Sequence, residues 1–266
     1  MPSVSTASRR VALITGAAHR LGREIALDLA AHGWDVAVHY HRSAPGAAAL
    51  CAQLRGAGAR AHPVAADLGD AAAVPGLLAQ AVAALGRVDA IVNNASLFEF
   101  DDALQFTADV AVRHYRVNAI APVLLAQSLH AHLQAREAQG CVVNLLDQKL
   151  RNPDPDYLSY TLSKAALDAA TTALAQALGP TLRVVGVAPG LMLPSGPMTP
   201  EEFGRVHGDT PLQRGCTPAD VAGAVRYVLD AGAVTGTTLL VDAGQHLVGR
   251  GRDLLFVARG SGAGAP

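Results

Sequence analysis

Apolar residues recur along this chain in short continuous runs, separated by longer stretches in which they return every three or four positions. The runs at 11–15, 36–40, 61–65, 88–92, 141–146, 182–187 and 237–241 predict seven strands. The spaced patterns at 21–31, 47–55, 74–85, 107–136, 157–178 and 219–229 predict helices between them. Pro75 falls in a first helical turn, where its missing N–H is tolerated, and Gly179 with Pro180 ends the helix at 157–178. Strands that are apolar throughout, rather than alternating, are covered on both faces, and strand–helix alternation implies parallel pairing. The expected fold is α/β: a single doubly wound domain, with a seven-stranded parallel sheet and helices on both faces.

Ligands of such sheets sit beyond the carboxyl ends of the strands. Thr15, Asp67, Asn93, Asp147 and Pro189 each follow a predicted strand, so they should converge on one crevice. Residues 1–10 read as a flexible N-terminus, 11–248 as the domain and 249–266 as a tail, Gly/Ala-rich from 259 onward. The stretch 191–215, rich in Pro and Gly and carrying Met192, Leu193, Met198 and Phe203, is expected to form a flap over a substrate.

Composition narrows the function. Half of the 266 residues are hydrophobic, 16% are charged and the net charge is −1, so no basic field for nucleic acid is present. Cys51, Cys141 and Cys216 are widely separated and lack metal-ligand spacing, which suits reduced thiols in a cytoplasmic protein. No run of 18 apolar residues suggests a membrane partner. The expected partner is a small-molecule substrate.

The chemistry concentrates in DQKLRNPDPDYLSYTLSK, residues 147–164. Tyr160 and Lys164 share one helix face, and an ammonium beside a phenol favours the phenolate, moving a group of pKa ~10 toward working pH. Asp147 precedes Tyr160 at the mouth of a buried strand. A second constellation is TGAAHRLG, residues 15–22, where backbone N–H groups between the first strand and first helix can hold a pyrophosphate. A third is HYHRS, residues 39–43. An NAD site places an acid after the second strand, whereas Arg42, Ser43 and His41 suit a 2′-phosphate, which points to NADP(H).

Together these residues resemble the short-chain dehydrogenase/reductase family, from about Arg10 to Leu247. Thr15, Gly16 and Gly22 match its TGxxxGxG turn, with Arg20 at the middle glycine. Asn93, Asn94 and Ala95 match NNAG, with Ser96 replacing glycine. Tyr160 and Lys164 match YxxxK, Pro189 and Gly190 match the loop beside the nicotinamide, and residues 241–244 resemble a terminal VDGG. The resemblance implies a Rossmann-type cofactor site formed by Gly16, Arg20, Leu21, Gly22, Asn94, Ala95, Ser96, Pro189 and Gly190. It implies that Lys164 binds the nicotinamide ribose, that Tyr160 exchanges the substrate proton and that Asn118 helps hold a water chain from the lysine. Asp67, followed by Leu68, either meets the adenine or caps the next helix. A homotetramer built on the helices at 107–136 and 157–178 is also implied.

Asp147 departs from the serine usual in carbonyl-reducing members. An ionised carboxylate has no donor for a carbonyl oxygen, and its charge opposes an oxyanion, but a carboxyl group can relay a proton to the nitrogen of a C=N bond. With TGAAHRLG, HYHRS and NNAS…F, this substitution resembles the pteridine reductase branch. There a pterin lies between the nicotinamide and an aromatic ring at the position of Phe98, with Ser96 and Leu191 beside it. The alternatives are that Phe98 packs on its own loop and Asp147 caps a turn. A carbonyl or 3-oxoacyl-carrier reductase, or a nucleotide-binding regulatory protein, are the competing functions.

Overall fold

The computed structural model describes residues 9–260. Strands β1 (Arg10–Ile14), β2 (Trp34–Tyr40), β3 (Ala61–Ala65), β4 (Ala90–Asn93), β5 (Gly140–Leu145), β6 (Leu182–Pro189) and β7 (Thr238–Val241) form one sheet, in the order β3-β2-β1-β4-β5-β6-β7. All pairings are parallel. The helices in chain order are α1 (Arg20–Ala31), α2 (Ala44–Gly56), α3 (Val74–Leu85), α4 (Ala108–Tyr115), α5 (Ala121–Gln134), α6 (Leu158–Leu178), α7 (Pro200–Val206), α8 (Pro218–Asp230) and α9 (Leu254–Arg259).

Side chains of a strand alternate between faces, and each face has its own helical cover. Ala12 and Ile14 pack with Ile25, Leu50 and Val225 of α1, α2 and α8. Val11 and Leu13 pack with Leu77 of α3 and Leu125 of α5 on the opposite face. Full burial of such aliphatic side chains contributes roughly 1.5–3 kcal/mol each, and the continuous apolar strand sequences are its local signature. Strand order reverses between β1 and β4, so the ends of these two strands open the crevice where ligands of doubly wound sheets bind.

A buried polar chain crosses the sheet near that point. The Asn93 amide donates to Asn144 Oδ1 (2.8 Å), the Asn144 amide to Thr171 Oγ1 (2.9 Å), and Thr171 Oγ1 to the Leu167 carbonyl (2.8 Å). It ties β4 and β5 to α6.

Two elements differ from the sequence expectation. The helix at 107–136 is broken into α4 and α5 by a π-helical turn, Arg116–Ile120, where the Ala121 N–H reaches the Arg116 carbonyl. The cause is Pro122, which has no N–H to donate to the Asn118 carbonyl one turn earlier. The stretch after 248 is more than a tail: Leu254, Leu255 and Phe256 of α9 are buried against Tyr157, Met198 and Val206. Smaller shifts occur at strand ends, such as β4 beginning at Ala90 rather than at residue 88. Residues 1–8 and 261–266, which include most of the expected flexible N-terminus and the Gly/Ala-rich end, lie outside the described residues. No helix among the described residues is long and apolar enough to cross a membrane.

Replacing Asn144 with Ala leaves the Asn93 amide without its acceptor in a dry setting, so a loss of roughly 2–3 kcal/mol is expected. Urea denaturation of the Asn144→Ala protein measures it directly.

Candidate active site

The ends of β1, β4, β5 and β6 surround a cavity of about 700 Å³ whose wall includes Arg20, Leu21, Ser96, Phe98, Asp147, Tyr160, Gly190 and Leu191. On its floor the Tyr160 hydroxyl donates to Asp147 Oδ2 at 2.8 Å. The other carboxylate oxygen of Asp147 accepts the Lys149 N–H at 2.8 Å, capping the 3-10 turn Gln148–Arg151. The turn-capping role and the approach to Tyr160 therefore coexist.

Desolvation raises the Asp147 carboxyl above its usual range, against the stabilising Lys149 N–H, the Tyr160 hydroxyl and the charges of Lys149 and Lys164. Burial pulls the Lys164 ammonium down to about 8. Burial, and then the neighbouring Asp147 charge, push Tyr160 well above an ordinary phenol. This corrects the expected drift toward phenolate. Lys164 Nζ donates to the Leu145 carbonyl at 2.7 Å and lies 5.7 Å from the centre of the Tyr160 ring, so its stabilisation of a phenolate is outweighed.

The α6 start is held from outside the helix. Asp101 Oδ1 accepts the Ser159 N–H at 2.9 Å and its second oxygen takes the Ser159 hydroxyl, acting as a remote cap. Asp101 follows the loop carrying Phe98, so the loop and α6 are positioned together. Phe98 stacks on Tyr157 (ring centres 4.1 Å apart) and meets Tyr160 edge-on at 4.7 Å, so it packs across to α6 rather than on its own loop. Asn118 is fully paired: Oδ1 accepts the Leu97 N–H (2.8 Å) and the Ser96 hydroxyl (3.2 Å), and its amide donates to the Leu97 carbonyl and Ser163 Oγ.

At the first turn, Thr15 Oγ1 accepts the N–H groups of Asn94 and Ala95, while the Asn94 amide donates to the Thr15 carbonyl at 2.8 Å. Gly16 has φ +63°, and a Cβ there would lie 3.1 Å from Ala95 Cα; a Cβ on Gly22 would lie 2.5 Å from the Gly16 carbonyl oxygen. His19 provides no side-chain cap to α1, leaving its first N–H groups open to an anion. Ser43 likewise precedes α2 without capping it, and Arg42, which is exposed, has no hydrogen-bond or ion-pair partner among the described residues. This donor set fits a dinucleotide with a 2′-phosphate.

Other expected contacts are placed differently. Arg20 does not stand free at the turn: its guanidinium donates to the Pro194 carbonyl in the loop after β6 (2.7 Å). Asp67 caps its own loop through the Gly69 N–H (2.8 Å) rather than α3, and faces His41 Nε2 at 3.7 Å. The Leu68 side chain belongs to the core. Pro189 ends β6, and Gly190 donates its N–H to the Val241 carbonyl in β7. Leu191 hangs from Gln245 Oε1 at 2.8 Å. Within 191–215, residues 191–193, 195 and 196 line the cavity while α7 packs near α9.

Several organising residues carry no local sequence signal: Asp101, Gln245, Lys149 and His39. Lys149 Nζ is buried between Asp154 (2.6 Å) and Asp253 (3.3 Å), fastening the segment that leads into α9. The apolar triplet at 254–256 is the sequence signal that marks this segment as packed rather than loose.

The model for the short chain dehydrogenase family matches residues 10–202. The chain belongs to the short-chain dehydrogenase/reductase family. Among solved members, FolM alternative dihydrofolate reductase 1 from Brucella canis, crystallised with NADP, is 38% identical with a TM-score of 0.85, over 91% of this chain and 96% of that one. Pteridine reductase 1 from Leishmania tarentolae is 34% identical over 280 residues, 89% of this chain and 96% of the relative. L-rhamnose 1-dehydrogenase (NAD(P)(+)) from a Sphingomonas species is 30% identical, over 90% and 96%. This short-chain oxidoreductase thus resembles the pteridine reductase branch of a family that uses nicotinamide dinucleotides.

Burial holds His39 of β2 down to about 4 from an ordinary 6.5. A folded-state pKa below the unfolded one means that the unfolded chain binds the extra proton. The contribution is therefore fully present above pH 6.5 and is lost as pH falls toward 4, roughly 3 kcal/mol in all. Stability of wild type relative to His39→Asn, measured by urea titration, is expected to fall across that window and stay flat above it.

Proposed function

We propose that this chain is an NADPH-dependent reductase of pterins or dihydrofolate. The observation that carries the reading is the Tyr160 hydroxyl bonded to Asp147 at 2.8 Å on the floor of a cavity with an aromatic wall. Reduction of a C=N bond needs a hydride at carbon and a proton at nitrogen. When bound, NADPH supplies the hydride.

The residues of this chain supply the rest. Tyr160 gives its hydroxyl proton to the substrate nitrogen, and Asp147, whose carboxyl is raised by burial, replaces it. Hydroxyl and carboxyl hydrogens can exchange the donor role along one short contact, so no heavy atom has to move. Lys164, anchored to the Leu145 carbonyl, is available to the nicotinamide ribose, and Asn118 keeps the Ser96 loop and α6 in register. Gly16, Leu21, Gly22, Asn94, Ala95, Pro189 and Gly190 form the close-approach surface for the dinucleotide, with Arg20 and Asp67 at its two ends. Arg42, Ser43 and His41 hold the 2′-phosphate. Ser96, Phe98 and Leu191 hold the substrate ring, Phe98 by stacking worth ~1–3 kcal/mol. Residues 191–215 close over it.

Support comes from the solved relative bound to NADP and named an alternative dihydrofolate reductase, and from the pteridine reductase likeness. The buried cysteines, none in a disulfide, suit the cytoplasm. Exposed Val112 and Tyr115 of α4 beside Leu162 of α6 form an apolar face, and it supports assembly as a homotetramer.

The test follows NADPH absorbance with dihydrobiopterin, dihydrofolate and a 3-oxoacyl thioester in parallel. Oxidation with the pterin or folate is expected. Oxidation with the thioester alone would identify a carbonyl reductase instead, and tight NADPH binding without turnover of any of them would favour a regulatory binder. Asp147→Ser is expected to lose pterin turnover while keeping NADPH affinity. Arg42→Ala should weaken NADPH at least about tenfold and leave NADH nearly unchanged, read by fluorescence titration.

A further inference from the structure

His39, at the end of β2, is 2% exposed, and both of its ring nitrogens are used. Nδ1 accepts the Gly16 N–H at 3.0 Å, and Nε2 lies 3.2 Å from the Ala66 carbonyl oxygen. An N–H can only donate and a carbonyl can only accept, so one tautomer satisfies both partners: neutral, with its hydrogen on Nε2. The His39 backbone carbonyl also accepts the Ala17 N–H at 3.0 Å. Gly16 and Ala17 are thus held by His39 on one side, while Thr15, Asn94 and Ala95 hold the turn on the other.

The same ring fixes the far corner of the crevice. Ala66 donates its N–H to the Tyr40 carbonyl at 3.3 Å and precedes Asp67, which faces His41. Arg42 and Ser43 follow directly. One buried imidazole therefore joins the ends of β1, β2 and β3, between the turn that faces a pyrophosphate and the corner that faces a 2′-phosphate. A dinucleotide must meet both places at once, and sub-ångström errors at either end lose charge-assisted hydrogen bonds.

We infer that His39 is a positioning residue that sets the spacing between the Gly16 turn and the His41–Arg42–Ser43 corner, and so governs affinity for a ligand that spans the two. The inference rests on the NADP(H) reading above. In this role His39 acts through Gly16 and Ala66.

Two near-isosteric variants divide its contacts. In His39→Asn the amide oxygen takes the place of Nδ1 and keeps the Gly16 bond. In His39→Gln the longer amide reaches toward the Ala66 carbonyl and leaves the Gly16 N–H without an acceptor. NADPH dissociation constants are measured by fluorescence titration, and those of 2′-AMP, which reaches only the corner, by calorimetry. Each variant cuts one of the two ties, so both are expected to bind NADPH at least about tenfold more weakly than wild type, while both bind 2′-AMP as wild type does. NADPH binding by either variant as tight as that of wild type, or a parallel loss of NADPH and 2′-AMP, would overturn the inference. Wild type that binds neither ligand would overturn the cofactor reading, and this inference with it.

Discussion

The hydrogen bond between Tyr160 and Asp147 is the arrangement that the rest of the site accommodates. A phenol and a carboxyl group lie 2.8 Å apart in a setting where burial raises both pKa values. An isolated buried carboxylate would be prohibitive, and its cost is offset by the Lys149 N–H, by the nearby Lys149 and Lys164 charges and by the option of staying protonated. That last option makes the pair useful, because a carboxyl group whose pKa burial raises keeps its proton to higher pH and can hand it on. The parallel sheet supplies the dry floor, α6 carries Tyr160 and Lys164, and the buried chain from Asn93 to Thr171 fixes α6 against β4 and β5.

The crevice divides at the β1/β4 reversal. On one side lie the turn, the N-terminus of α1, which no side chain caps, and the Arg42 corner, where the guanidinium has no partner among the described residues. On the other, Phe98, Tyr157 and the α9 segment make an aromatic and aliphatic wall. Asp101 and Asn118 connect this wall to the proton-transfer group, one by capping α6 and the other by holding the backbone at Leu97. Displacing either would move substrate and acid relative to each other without touching the chemistry.

Much of this was legible in the sequence because it is written locally. Continuous apolar runs mark strands buried on both faces, and Gly16, Gly22, Tyr160 and Lys164 stand at spacings tied to the ends of those strands. What escaped depends on partners distant in sequence. Asp101 reads as an ordinary loop acid until it meets Ser159. Leu254 to Phe256 read as part of a tail until α9 packs on Tyr157. Pro122 was visible, but its consequence, a π-helical turn beneath Asn118, requires knowing which carbonyl it fails to serve. The direction of the Tyr160 shift is hidden for a similar reason: spacing places Lys164 on the correct helix face and says nothing of its bond to Leu145 or of the depth of burial.

The proposed source of the proton is Asp147. The most direct test is the pH dependence of kcat/KM for a dihydropterin in wild type and in Asp147→Asn. Wild type should lose rate as pH rises through the raised carboxyl pKa, because only the protonated carboxyl can replenish Tyr160. That limb should disappear in Asp147→Asn, leaving a low rate set by Tyr160 alone. The same limb, unshifted, in the Asp147→Asn protein would show that the proton comes from another group.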